Sequence, residues 1–188
     1  MALSLIKSAS LASGVGGFQL ISSGTAGSAV SNLTVDLSSD TDFCIQRLVI
    51  NDLYHSTSAR LNATFFEGGS EVTASSSYLW TVTSAGSSGN PAKSQTDADV
   101  LMRMVQQNIG VGSDEPSNLD MFIYTPAESG TETGYTLFIN GWEASGSGNE
   151  IQHCQGKRLA PAVAQKIKIA PASGTISYFS YQLYGYKK

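Results

Sequence analysis

Apolar and polar residues alternate in short stretches along the chain, and clusters of Ser, Gly, Asn and Asp separate those stretches. Leu33, Val35 and Leu37 alternate with Thr34 and Asp36, and Leu61, Ala63 and Phe65 repeat the pattern. Period two predicts strands with one face on a core and one in water. Eleven segments qualify: Ser4–Ser8, Gly17–Ile21, Ser31–Leu37, Phe43–Asn51, Arg60–Phe66, Tyr78–Thr83, Asp99–Gln106, Asp120–Tyr124, Tyr135–Asn140, Gln165–Ile169 and Thr175–Tyr184, the last two divided at Pro171. The expected fold is all-β: a jelly-roll-like antiparallel β-sandwich in one domain over 1–188, with residues 1–17 as an assembly arm. Asp99–Ile109 is the one helix candidate, with Val100, Leu101, Met104 and Val105 at near-helical spacing. Val100, Met102 and Met104 also fit period two, and strand is the preferred reading. Three stretches poor in apolar residues read as long loops: Ser84–Asp97, Gly110–Asn118 and Trp142–Gly156.

Composition narrows the class further. Charged residues make up 14 % of the chain, while Ser, Thr and Gly together fill 61 of 188 positions. With 41 % hydrophobic residues the chain has the apolar content that disordered segments lack. No apolar run approaches the ~18 residues of a membrane-spanning helix, and the mean hydropathy is −0.06. The start lacks a basic first segment and reads poorly as a secretion signal, which predicts synthesis in the cytoplasm.

The net charge of −4 hides an asymmetry. Residues 1–150 carry 15 acidic and 5 basic residues; residues 151–188 carry Lys157, Arg158, Lys166, Lys168, Lys187 and Lys188 and no acid. These bases are too dispersed for a polybasic arm, and a pI near 5.0 does not suit a phosphate binder, so no nucleic-acid partner is expected. A basic region can answer an acidic one within the fold or on a neighbouring subunit. The second version is the expectation, with Lys157, Arg158, Lys166 and Lys168 as inter-subunit contacts. Its acidic mate would be the run between Asp97 and Glu150, where nine carboxylates face one base, Arg103.

Candidate chemistry is sparse. His55 and His153 are the only histidines, and no GxSxG elbow accompanies them, so a hydrolase is disfavoured and no enzyme is expected. Gly14-Val15-Gly16-Gly17 lacks the Lys and helix of a phosphate loop. Cys44 and Cys154 have no metal-site spacing, and the acidic run has no calcium-loop pattern; no cofactor or metal is expected. Trp80 alternates with Tyr78 and Val82 as core. Trp142, with Asn140 and Glu143, has the composition of a sugar-binding loop, where a ring stacks on the pyranose and polar groups take its hydroxyls.

Met1-Ala2-Leu3-Ser4-Leu5-Ile6-Lys7-Ser8-Ala9-Ser10 at one end, and Ser173-Gly174-Thr175-Ile176 with Tyr184-Gly185-Tyr186-Lys187 at the other, resemble the ends of small β-sandwich structural proteins of tailed bacteriophages, marine ones in particular. Leu137-Phe138-Ile139-Asn140-Gly141-Trp142 is similar to a middle element of that family, whose endings more often have Ile where this chain has Tyr186. The resemblance implies a non-enzymatic virion component, made in the host cytoplasm. It would be a capsid cement (decoration) protein or a tail appendage, assembling with copies of itself, for instance as a trimer, and with the capsid shell or tail. With no apolar run of spanning length, no membrane partner is expected. The alternative is a carbohydrate- or receptor-binding module of a tail fibre, recognising a host surface glycan through Trp142.

Overall fold

The computed structural model describes residues 17–85, 91–105, 108, 116–142 and 149–187. Thirteen strands occupy them: β1 Phe18–Ala26, β2 Leu33–Asp36, β3 Phe43–His55, β4 Leu61–Glu67, β5 Ser70–Glu71, β6 Tyr78–Ala85, β7 Pro91–Asp99, β8 Met102–Arg103, β9 Ser117–Tyr124, β10 Gly134–Trp142, β11 Asn149–Arg158, β12 Lys166–Pro171 and β13 Ile176–Lys187. Among the described residues there is no helix.

The strands form two antiparallel sheets. The larger runs β1-β13-β3-β9-β10-β11-β6-β7 and the smaller β2-β12-β4-β5, with β8 also paired to β4. β1-β13-β3 in one sheet lie beside each other just as β2-β12-β4 do in the second. The connections β1 to β2, β3 to β4 and β12 to β13 therefore cross between sheets side by side, which is the wrapping of a jelly-roll-like sandwich.

Alternation makes the core. β2, β6 and β9 show alternating buried and more open positions along their length, and Leu33, Val35, Leu48, Ile50, Phe65, Val82, Met121, Leu137, Ile167 and Leu183 meet between the sheets in one cluster. Tyr78 bolts the sheets together. From β6 its hydroxyl accepts a hydrogen bond from the Phe65 N–H of β4 (2.9 Å) and donates to the Val72 carbonyl (3.1 Å), and burial raises its pKa to about 12. Segment 102–105 covers the inner side of β6 and β11, where the Cys154 thiol donates to the Arg103 carbonyl (3.0 Å) and Arg103 lies 5.0 Å over Trp80. Gly156 is required by close approach: a Cβ there would collide with the Leu79 carbonyl and stand 2.6 Å from the Tyr135 hydroxyl.

The fold class agrees with the sequence reading, while several elements differ. Two of the three segments read as long loops, Ser84–Asp97 and Trp142–Gly156, hold most of β7 and β11. Both were missed because their sequences lack apolar alternation. β7 is an edge strand rich in polar residues, and the inward positions of β11 include Glu150 and Gln152, both buried, with Gln152 Nε2 donating to Glu150 Oε2. The described part of Asp99–Gln106, residues 99–105, is neither one strand nor a helix. β7 ends at Asp99 in the large sheet, the chain bends at Val100 and Leu101, and β8 pairs with β4 in the small sheet. The Ser4–Ser8 strand, the 1–17 arm apart from Gly17, and most of the Gly110–Asn118 loop lie outside the described residues.

Candidate functional site

The outer face of the large sheet is the feature the sequence reading did not anticipate. On β9, Ser117, Leu119, Met121 and Ile123 are buried, so Asn118, Asp120, Phe122 and Tyr124 point outward. Register carries this face across the sheet. Phe122 lies opposite Arg47 of β3 and Thr136 of β10; Arg47 lies opposite Tyr184 of β13, and Tyr184 opposite Leu20 of β1. One row along, Asp120 is opposite Phe138, and Phe138 opposite His153. Of the large apolar side chains left exposed among the described residues, Phe18 (42 %), Leu20 (53 %), Phe138 (48 %) and Ile151 (63 %) all belong to this face.

At its centre the polar groups are already engaged. Arg47 donates from Nε and Nη2 to the two oxygens of Asp120, at 2.8 and 2.7 Å, and this pairing raises the guanidinium pKa. The same guanidinium sits 5.4 Å from the centre of the Phe122 ring and 5.9 Å from Phe18, which packs 5.5 Å from Tyr186. Phe138 and His153 stack at 4.8 Å. A planar cation held by a carboxylate and flanked by aromatic rings is the kind of group that dominates protein interfaces. A signal for this face was present in Met121-Phe122-Ile123-Tyr124 and Leu137-Phe138-Ile139, where both phases of the alternation are apolar. A strand of that kind has a use for each of its faces.

The C-terminal bases are placed differently from the expectation. Each cation of that block among the described residues meets an acid of its own chain. Lys166 pairs with Asp36 and Lys168 with Glu71 (2.8 Å each), Arg158 with Glu67 (2.9 Å) and Lys157 with Glu132, while Lys187 lies 3.6 Å from Asp40 and 3.7 Å from Asp42. The charge asymmetry is thus met inside the fold, so the argument from charge for Lys157, Arg158, Lys166 and Lys168 as inter-subunit contacts loses its basis. Of the acidic run 97–150, Glu132 is the residue these pairs use; the other mates lie between Asp36 and Glu71. Burial alone would raise the Glu71 pKa, but hydrogen bonds from Lys168 and Thr64 outweigh it, and the net shift is downward.

Arg158–Glu67 is the most enclosed of these pairs, with side-chain exposures of 13 % and 17 %. Arg158 also donates to the Ser77 carbonyl and lies 5.8 Å over Tyr78. Arg158→Ala should therefore cost about 2–3 kcal/mol by leaving Glu67 unpaired in a mostly dry site. The loss should shrink when Glu67→Ala is added, and urea unfolding of the two single variants and the double variant measures this coupling.

His55 is not placed for catalysis. It is 4 % exposed, neither ring nitrogen has a hydrogen-bond partner, and burial lowers its pKa to about 4. Protonation therefore favours the unfolded chain. Through this group, stability is undiminished above about pH 6.5, the unfolded value, and falls as pH drops toward 4, by roughly 3 kcal/mol. A His55→Leu variant should lose less stability than the parent between pH 7 and pH 4, as followed by thermal melts. His153 lies on the outer face and Cys154 in the core, where burial raises the thiol pKa to about 12. Among the described residues no three His, Cys, Asp or Glu side chains come together to hold a metal.

The sugar-site residues are only partly placed. Asn140 is exposed near the end of β10, and Trp142 closes that strand opposite Asn149. The Trp142 side chain and Glu143 lie outside the described residues, and so does the grouping of the three. No protein-family model matches the chain, and no curated protein matches it in sequence.

Proposed function

We propose that this chain is a non-enzymatic structural component of a tailed-phage particle, of the cement or tail-appendage kind, that associates with copies of itself through the outer face of its large sheet. The observation that carries the reading is the set of exposed apolar side chains, Phe18, Leu20, Phe138 and Ile151, around the Arg47–Asp120 pair. The phage context rests on the resemblance at the two chain ends.

Charge and size favour a second copy as the occupant. Arg47 and Asp120 neutralise each other, and Lys157 pairs with Glu132 at the same face, so two identical faces meet without net repulsion. Eight strands at about 4.8 Å spacing, and the run from Asn118 to Tyr124 at about 3.4 Å per residue, give an area on the order of 700 Å². That is close to the roughly 800 Å² per partner of a standard stable interface. The outer side of the small sheet is unlike it: among the described residues none of its strands carries an exposed large apolar side chain.

Immunogold electron microscopy of particles from an infection that makes this chain tests the phage placement. Label on heads or tails supports it; chain confined to the particle-free fraction contradicts it. If the face instead takes a host glycan, the chain will stay monomeric, and Phe138→Ala will weaken glycan binding, which would replace this reading.

A further inference from the structure

Histidine is the side chain whose charge ordinarily changes between about pH 5 and pH 8. The chain has two, in opposite surroundings: His55 is buried in the core, and His153 lies on the outer face of the large sheet. Alternation along β11 buries Gln152 and Cys154 and turns Ile151, His153 and Gln155 outward. Ile151 is therefore about 7 Å from His153 along the strand. From β10, the Phe138 ring stacks on the imidazole at 4.8 Å with 19° between the planes. Phe138 and Ile151 are the exposed apolar residues that a contact through this face has to cover. Any contact that covers both also covers the imidazole beside them.

Among the described residues the immediate neighbours of His153 carry no charge. Along β11 they are Ile151 and Gln155; across β10 they are Phe138, with Thr136 and Asn140 on the diagonals; across β6 they are Thr83, with Thr81 and Ala85. The Thr83 hydroxyl donates to the His153 carbonyl (3.3 Å). One strand further out stand Asp120 of β9, which already accepts from Arg47, and Lys93 of β7, opposite Thr83. Lys157, four residues along β11, pairs with Glu132. Asp97 and Asp99 of β7 lie toward the Tyr78 end of β6, and Asp52 stands at the β3 bulge, three strands away. A second copy brings the same surface and the same set of groups. An imidazolium covered there loses its hydration and gains no adjacent carboxylate.

We infer that His153 makes association through this face pH-dependent: the neutral ring is covered, and its protonation drives the copies apart. The inference rests on the self-association proposed above and adds its regulation. The covered state prefers the neutral ring, so association is fully present at high pH and is lost as the pH falls through the range in which histidine gains its charge. Two copies exclude two protons, which lets a dimer weaken by up to about a hundredfold per pH unit.

The experiment is sedimentation equilibrium on the full chain at about pH 7.5 and about pH 5.5, on either side of the ordinary histidine transition. The samples are the parent, His153→Gln and His55→Leu, with circular dichroism to verify folding in each. The parent should associate at least about tenfold more weakly at the lower pH. His153→Gln should associate equally at both, and His55→Leu should keep the parent's response, because that ring is already buried in the single chain. Heats of dilution of the parent near pH 6, in two buffers of different ionisation enthalpy, give a reading that needs no variant: copies that separate should take up protons. A parent that associates equally at both pH values, or that takes up no proton on dissociating, overturns the inference and leaves self-association standing. A response that survives in His153→Gln, or vanishes in His55→Leu, assigns the proton elsewhere and overturns it as well. A parent that is monomeric at both pH values overturns the underlying reading too.

Discussion

A chain carrying Phe138→Glu and Ile151→Glu is expected to fold normally and to associate on the order of a hundredfold or more weakly than the parent, because truncating or charging a central interface residue commonly costs 2 kcal/mol or more. Both side chains are about half exposed or more in the single chain, on adjacent strands of the large sheet. Replacing them therefore opens no cavity. The local penalty is confined to strand propensity and the Phe138–His153 stack, about 1 kcal/mol. In an assembly, two carboxylates per copy would enter a surface where Arg47 is already matched to Asp120 and Lys157 to Glu132. Sedimentation equilibrium with circular dichroism separates the two effects. An unchanged spectrum with weakened association is the expected result, and unchanged association would place the interface elsewhere.

The largest expected loss of stability is at Tyr78. Tyr78→Ala removes a fully buried ring from between the sheets and both hydrogen bonds of its hydroxyl, and should cost about 4–5 kcal/mol. That is a large share of the roughly 5–15 kcal/mol that holds a domain folded. Tyr78→Phe keeps the ring but leaves the Phe65 N–H without its acceptor, and should cost about 1–3 kcal/mol. The difference between the two, read from urea midpoints, separates packing from hydrogen bonding at one site. A Tyr78→Phe variant as stable as the parent would mean that the hydroxyl is no bolt.

Strands with a wet and a dry face were the legible part of the fold. β2 and β4 announce themselves because burial acts on every second residue, and Trp80 was assigned to the core for the same reason. β11 was illegible because its inward positions include Glu150, Gln152 and Gly156, so polar residues stand where an apolar pattern was sought. β7 was illegible because an edge strand rich in Ser, Thr and Asp gives no apolar signal. The candidate surface was half legible. The doubled apolar phase of β9 and β10 was visible, but its meeting with Phe18 and Arg47 depends on β1 and β3 lying across the sheet, a register no local pattern encodes. Charge along the chain misled in the opposite direction. A block with no acids looked unsatisfied until the fold brought Asp36, Glu67 and Glu71 to it from far upstream.

Hydroxyl-radical footprinting of the parent chain over a wide concentration range tests the central claim most directly, because it reports which side chains association covers. Phe138 and Ile151 should become protected as the chain associates. Val100, exposed to a similar degree at the bend after β7, should be oxidised equally at every concentration. Equal oxidation of Phe138, Ile151 and Val100 at every concentration would contradict association through the outer face of the large sheet.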